Sequence, residues 1–336
     1  ALPQRARILS GTEVEGTGGE TTEQVETDRV AEADFNRRAP LIVYGHGTVP
    51  YGQTCAYSRS SPLTAQVFGA PDLELRTVVA LAAQGWPVIM PDYAGFVAGS
   101  PVAGYMYAQD EAYSVLDATR AMQQLLGQTR DQVVLVGHSQ GGHAVLAAQS
   151  YARAYGMSGR LAGVVAFAPF WAPARTFGVI LGGYSAANPN DWYPLGTAIE
   201  YFYTHLELYD GPGAGKRLFN IGAGEGQVSD AAVDALVSSC DFLPNLSQFP
   251  ETFLSPEFQA VAACAAAGEG CDQAPARTWL PRLAADRPTL DARGAPVVLW
   301  QGGQDSVVPV TIAGCGTDKI KSDFSAGGAS AKFQFC

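Results

Sequence analysis

Histidine and lysine are the scarce residues of this chain of 336 residues. Four histidines are present, His46, His138, His143 and His205, and none follows position 205. Lysine is rare beside arginine, and 32 acidic residues against 21 basic ones give a formal net charge of -11. No basic patch or stripe interrupts that balance, which argues against a nucleic-acid partner. No apolar run reaches the ~20 residues of a membrane span. The cysteine spacing matches no zinc pattern, and few histidines are available to complete one. The chain starts at Ala1 without a charged-then-apolar leader, which points to a processed or trimmed chain.

Apolar residues are abundant. They make up 47% of the sequence, against 16% charged. That suits one α/β domain with a sizeable insertion, or two domains. Six cysteines, an even number, hint at disulfides and an exported protein, with six reduced buried thiols as the alternative. Six cysteines allow fifteen pairings. Short loops favour Cys264 with Cys271 and Cys315 with Cys336, leaving Cys55 for Cys240.

Along the chain, residues 1–39 are polar and weakly patterned, with a short edge strand expected at Arg7–Leu9. A buried strand is expected at Pro40–Tyr44, a helix at Asp72–Ala83 stopped by Gly85, a strand at Trp86–Met90, and a long helix at Gln109–Leu126 ended by Gly127. Strands follow at Asp131–Val136, Leu161–Phe167 and Ala295–Trp300. Strand and helix alternate, which implies a mostly parallel central sheet with helices on both faces. The rhythm breaks from about 172 to 288, where aromatics, a Gly-rich link at 210–215 and short helical patterns suggest an inserted, mainly helical cap. The expected organisation is a core over 1–171, a cap over 172–288 and a returning core over 289–336.

The organising stretch is Gly137-His138-Ser139-Gln140-Gly141-Gly142. A β-branched strand precedes it and a small-residue helix follows. Strand, Gly-x-Ser-x-Gly, helix is the setting of a nucleophile elbow: the tight turn strains the serine, and glycines let strand and helix approach. The helix start aims free N–H groups and a positive dipole end at a nearby oxyanion. A Gly-rich turn with an idle serine is the alternative.

A serine nucleophile needs a base, an orienting acid and oxyanion donors. Asp305, in the loop after a late strand, is the expected acid, with a helix N-cap role as the alternative. Expected oxyanion donors are the N–H of Gln140 and that of Thr48, with Gly47 as second choice. The base is missing, because the order serine, acid, histidine needs a histidine after Asp305. His46 belongs to the oxyanion loop, His138 flanks the nucleophile, and His143 stands one turn into the helix. Three readings follow: a histidine carried by a C-terminal segment beyond Cys336 or by a second polypeptide, which is favoured; His205 reaching in from the cap; or a degenerate site.

These residues resemble the α/β-hydrolase superfamily and, within it, the secretory lipases. The resemblance rests on Gly45-His46-Gly47-Thr48 with Cys55 after it, Pro91-Asp92-Tyr93-Ala94-Gly95, the elbow, and Gly302-Gly303-Gln304-Asp305 with Val308-Pro309. It implies export, a Ser–Asp–His triad, and hydrolysis of carboxylic esters, including lipids, by acyl transfer through Ser139 without metal or cofactor. A serine peptidase or amidase of the same fold, or a binding protein with a relict site, are the rival readings. The residues that would hold the substrate are not identified.

Overall fold

The structure is a computed structural model. It describes residues 39–50, 55–59, 66–67, 70–71, 73–96, 102–126, 132–241, 243–268, 271–305 and 307–336. The strand expected at Arg7–Leu9 and the helix stop at Gly127 lie outside the described residues.

The chain begins with β1 (Leu41–Gly45), whose five residues are all buried, as expected of a strand covered on both faces. A two-residue antiparallel hairpin, β2 (Gln66–Val67) and β3 (Ala70–Pro71), leads to α1 (Leu73–Ala83). Gly85, at φ 85°, lies in the left-handed region just beyond it. β4 (Val88–Ile89) follows, shorter than the sequence suggests. α2 (Ala108–Leu125) buries a stripe at helical spacing that includes Ala108, Ala112, Val115, Thr119 and Met122.

β5 (Gln132–His138) alternates buried and more open positions and runs into α3 (Gln140–Tyr155). The first ten residues of α3 are all buried, so this helix is central rather than amphipathic. Left-handed Gly156 caps its C-terminus. β6 (Arg160–Phe167) completes the middle of the sheet.

Between β6 and β7 the chain supplies α4 (Pro173–Gly183), α5 (Trp192–Asp210), α6 (Asp230–Ser238), α7 (Leu243–Leu246), α8 (Pro256–Ala267) and α9 (Ala274–Ala284). Ser229 and Ser255 cap α6 and α8 by accepting the N–H groups of Ala232 and Phe258. The aromatics noted in this stretch largely fill its interior: Phe177, Tyr201, Phe202, Phe258 and Trp279 belong to one apolar cluster. A second cluster joins β1, β5, β6, α2 and α3 beneath and around the sheet.

β7 (Val297–Trp300), α10 (Val310–Ala326) and β8 (Phe333–Phe335) close the fold. The sheet order is β4-β1-β5-β6-β7-β8, and every pairing in it is parallel. All carboxyl ends therefore lie on one edge. That edge collects the loops after β1, β5, β6 and β7.

Two disulfides form, Cys55–Cys240 and Cys264–Cys271. The expected Cys315–Cys336 bond is a correction: both thiols are free. Cys315 rides on α10 and accepts a hydrogen bond from Nη1 of Arg175 at 2.8 Å. Cys336 continues the β8 ladder, its N–H donating to Leu299 O and its carbonyl accepting from Gln301 N. Short separation in sequence misleads here because a helix and a ladder hold the two residues on different elements.

Candidate active site

Ser139 stands between the last residue of β5 and the first of α3, with φ 54° and ψ -117°. A β-carbon makes this region strained, and such strain persists only where the surroundings enforce it. Three contacts do so. The N–H of Ser139 donates to Phe167 O on β6 at 2.9 Å, and its carbonyl accepts from His143 N at 3.2 Å. A β-carbon on Gly137 would strike the backbone of Gly141. The Oγ of Ser139 is buried and has no hydrogen-bond partner among the described residues. Among the described residues, the other non-glycine residues with positive φ are Met106 (56°) and Ala168 (43°), the latter just after β6 on the same edge.

Gln140 opens α3, so its N–H has no intrahelical acceptor. Its side chain donates from Nε2 to Glu111 Oε1 at 2.7 Å. The loop after β1 carries His46, Gly47 and Thr48. The Gly47 N–H donates to Glu74 Oε2 at 2.5 Å, so the second-choice oxyanion donor is already committed. Thr48 is buried; its hydroxyl pairs with the Tyr105 hydroxyl at 2.8 Å and also bonds Tyr193. His46 braces the loop. Its ring lies 4.5 Å from that of Tyr57 and 4.2 Å from that of Tyr93, and Nδ1 donates to Gly47 O. Burial lowers its pKa, keeping the ring neutral.

Asp305 lies in the loop after β7. Its Oδ1 accepts the N–H groups of Val307 and Val308, both at 2.9 Å, and its Oδ2 accepts from Gln301 Nε2 at 3.2 Å. The N-cap position of α10 is Pro309, so the aspartate orders its own loop rather than capping that helix. One strand, β6, separates the strand ends that carry Ser139 and Asp305. At ~4.8 Å per strand the gap is about 10 Å, the scale an imidazole with two hydrogen bonds can bridge.

Residues 61–172, one third of the chain, match the family model described as secretory lipase. The structure is similar to a Legionella pneumophila protein described as a candidate hydrolase, with TM-score 0.64 and 18% identity over 89% of this chain and 73% of that one. It is similar to the rice cell wall degrading esterase LipA from Xanthomonas oryzae, with TM-score 0.60 and 21% identity over 89% and 74%. It is also similar to Candida antarctica lipase A in its closed state, with TM-score 0.60 and 19% identity over 90% and 65%. No curated protein sequence matches the chain.

The chain has the α/β-hydrolase fold, and residues 61–172 resemble the secretory lipases.

In this α/β-hydrolase fold none of the four histidines bonds Ser139 Oγ. His138, half-exposed, pairs through Nδ1 with Glu74 Oε1 at 2.9 Å; that bond, with the charges of Glu74 and Asp305, raises its pKa although burial opposes it. His143 is wholly buried, with Nδ1 on Glu111 Oε2 and Nε2 on Asp286 O, each at 2.6 Å. His205, the alternative base, is equally buried, with Nδ1 on Tyr201 O at 2.7 Å and Nε2 on Asp286 Oδ2 at 2.8 Å. Both of its nitrogens are thus engaged within the helical segment, away from the serine hydroxyl. Among the described residues, no group of three or more His, Cys, Asp or Glu side chains is arranged to hold a metal.

Sequence reasoning missed four carboxylates: Glu74, Glu111, Glu200 and Asp286. Glu200 on α5 is fully buried, its Oε2 has no partner among the described residues, and burial alone pushes its carboxyl well above the usual range, which favours the neutral form. For Glu111 a signal existed. It sits one position from Ala112 and four before Val115, inside the apolar stripe of α2, where a solvated glutamate has no place.

Proposed function

We propose that this chain is an exported serine carboxylic-ester hydrolase that works through an acyl-enzyme on Ser139. The observation that carries the reading is Ser139 itself: a strained, left-handed serine at a parallel strand's carboxyl end, its hydroxyl unbonded, at the start of a buried helix. The secretory lipase match supports a lipase- or esterase-type hydrolase, and the two disulfides fit an exported protein. No helix among the described residues is long and apolar enough to cross a membrane.

In the proposed mechanism Ser139 Oγ attacks the ester carbonyl while a histidine takes its proton. The N–H groups of Gln140 and Thr48 hold the tetrahedral oxyanion, each worth about 3 kcal/mol of barrier. The histidine returns the proton to the leaving alcohol, and water repeats the sequence to release the acid. Asp305 orients that histidine. The base is a histidine outside residues 1–336, carried by a following segment or a second polypeptide. Two features support this: the four histidines present are bonded elsewhere, and β8 runs parallel beside β7, so any residues after Cys336 leave the sheet at the edge that holds Ser139 and Asp305. The helices between β6 and β7 serve as a cap, with α5 approaching the oxyanion loop through Tyr193 and through Thr204, whose hydroxyl accepts from Tyr105 N.

Hydrolysis of p-nitrophenyl esters by the full gene product tests the reading. Ser139→Ala abolishes turnover with the fold intact; unchanged turnover refutes the assignment. A gene that stops at Cys336, with no second polypeptide needed for activity, refutes the proposed source of the base.

A further inference from the structure

We propose that Glu111 is a positioning residue that locks the two halves of the oxyanion hole to one another; this rests on the hydrolase reading above. The two proposed donors come from distant parts of the chain, Thr48 after β1 and Gln140 at the start of α3. Neither is bonded to the other. A single buried carboxylate reaches both sides.

On one side, Glu111 Oε1 accepts from Gln140 Nε2 at 2.7 Å, and Oε2 meets His143 Nδ1 at 2.6 Å. Both partners lie on the first turn of α3, directly after the nucleophile. On the other side, Oε1 accepts the N–H of Met106 at 3.0 Å. Met106 is one of three non-glycine residues with positive φ among the described residues, so this bond holds a strained backbone. Its neighbour Tyr105 carries the hydroxyl that pairs with Thr48 Oγ1 at 2.8 Å. The path Thr48–Tyr105–Met106–Glu111–Gln140 is continuous and buried throughout.

The electrostatics make the lock rigid. A buried carboxylate without partners is severely destabilising, but this one accepts from two neutral donors and one ring. His143 Nε2 donates to a second acceptor, Asp286 O at 2.6 Å, and although burial disfavours charge on the ring, the Glu111 carboxylate against Nδ1 raises its pKa. Charge-assisted bonds of this kind are short and directional. Because the carboxylate touches neither the serine hydroxyl nor the Thr48 amide, it acts on the reaction only by fixing donor positions. A misplacement of ~1 Å at an oxyanion donor lowers turnover by about 10²-fold.

The test compares Glu111→Gln, Glu111→Asp and Thr119→Val with wild type in the full gene product, using p-nitrophenyl butyrate and thermal melts. Thr119 is buried on the same helix and, among the described residues, its hydroxyl bonds only Val115 O, so its variant reports lost stability alone. Glu111→Gln is expected to lower kcat by about 10- to 100-fold, with KM within about twofold of wild type. Glu111→Asp, which keeps the charge opposite His143 but is one methylene shorter, is expected to lower kcat in the same way, and it carries the comparison if the glutamine variant does not fold. A kcat loss no greater than that of Thr119→Val at a matched fall in Tm, or a loss confined to KM, overturns the proposal. A wild-type protein that turns over no ester ends the hydrolase reading and this inference with it; an active wild type with unchanged Glu111 variants ends the inference alone.

Discussion

Gly45, the last residue of β1, and Gly141, in the first turn of α3, meet backbone to backbone: the Gly45 carbonyl occupies the place where a β-carbon on Gly141 would stand. This contact seats the helix that follows Ser139 directly on the strand that leads to the loop of His46, Gly47 and Thr48. The obstructing atoms are main chain, so no rotamer change relieves them. Gly141→Ala is expected to lower stability by about 2–3 kcal/mol or more. Gly182→Ala, in α4 with nothing near the added carbon, is expected to be neutral or to stabilise by ~0.5–1 kcal/mol. Chemical denaturation of both variants checks the contrast.

Asp305→Asn separates the orienting charge from loop structure. Asparagine keeps an oxygen for the Val307 and Val308 amides and gives up only the 3.2 Å bond from Gln301 Nε2, so Tm should fall little. Ester turnover should fall by about 10⁴-fold, the scale set when an orienting acid is replaced by its amide. A fall of less than tenfold would remove Asp305 from the proposed triad.

The Cys55–Cys240 disulfide spans 185 residues and ties the loop after β1 to the end of α6; Cys264–Cys271 spans 7. Loop-closure entropy assigns about 5 kcal/mol to the first and about 2 kcal/mol to the second. Cys240→Ser should therefore destabilise by roughly twice as much as Cys271→Ser. Denaturant midpoints of the two variants, measured without reductant, test the order.

Glu200 predicts a pH dependence. Burial raises its carboxyl pKa in the folded state above the ordinary 4.5, so folding favours the protonated form. Its burial is cheapest below pH 4.5, and the folded state loses stability as pH climbs from there toward the raised folded value. Glu200→Gln removes the ionisation. The variant should melt above wild type at pH 8, by ~2–4 °C for each kcal/mol recovered, and the difference should shrink toward zero below pH 4.5. A difference independent of pH contradicts the upward shift that burial gives this carboxyl.

Sequence alone made the sheet and the elbow legible because both are written in local sterics. β-branched runs become strands, and only glycine fits at 137 and 141. It could not read the carboxylate braces, since Glu74 and Glu111 stand 64 and 32 residues from their histidine partners. Helical carboxylates ordinarily face solvent, and only the position of Glu111 in an apolar stripe marked it as different. β8 escaped because three residues at a sheet edge carry almost no periodic signal. The Cys315–Cys336 expectation failed because closeness in sequence says nothing of which way a helix and a strand carry their thiols. Of the aromatics that mark residues 177–209 in the sequence, Phe177, Tyr201 and Phe202 are interior in the structure.

The central claim is that Ser139 is an activated nucleophile. Treating the full gene product with a fluorophosphonate and mapping the adduct by mass spectrometry tests it most directly, because reaction requires a serine made nucleophilic by its site. One adduct per chain, located on Ser139 and absent from Ser139→Ala, is the predicted result. A folded protein that takes no adduct, or takes it on another residue, contradicts the account.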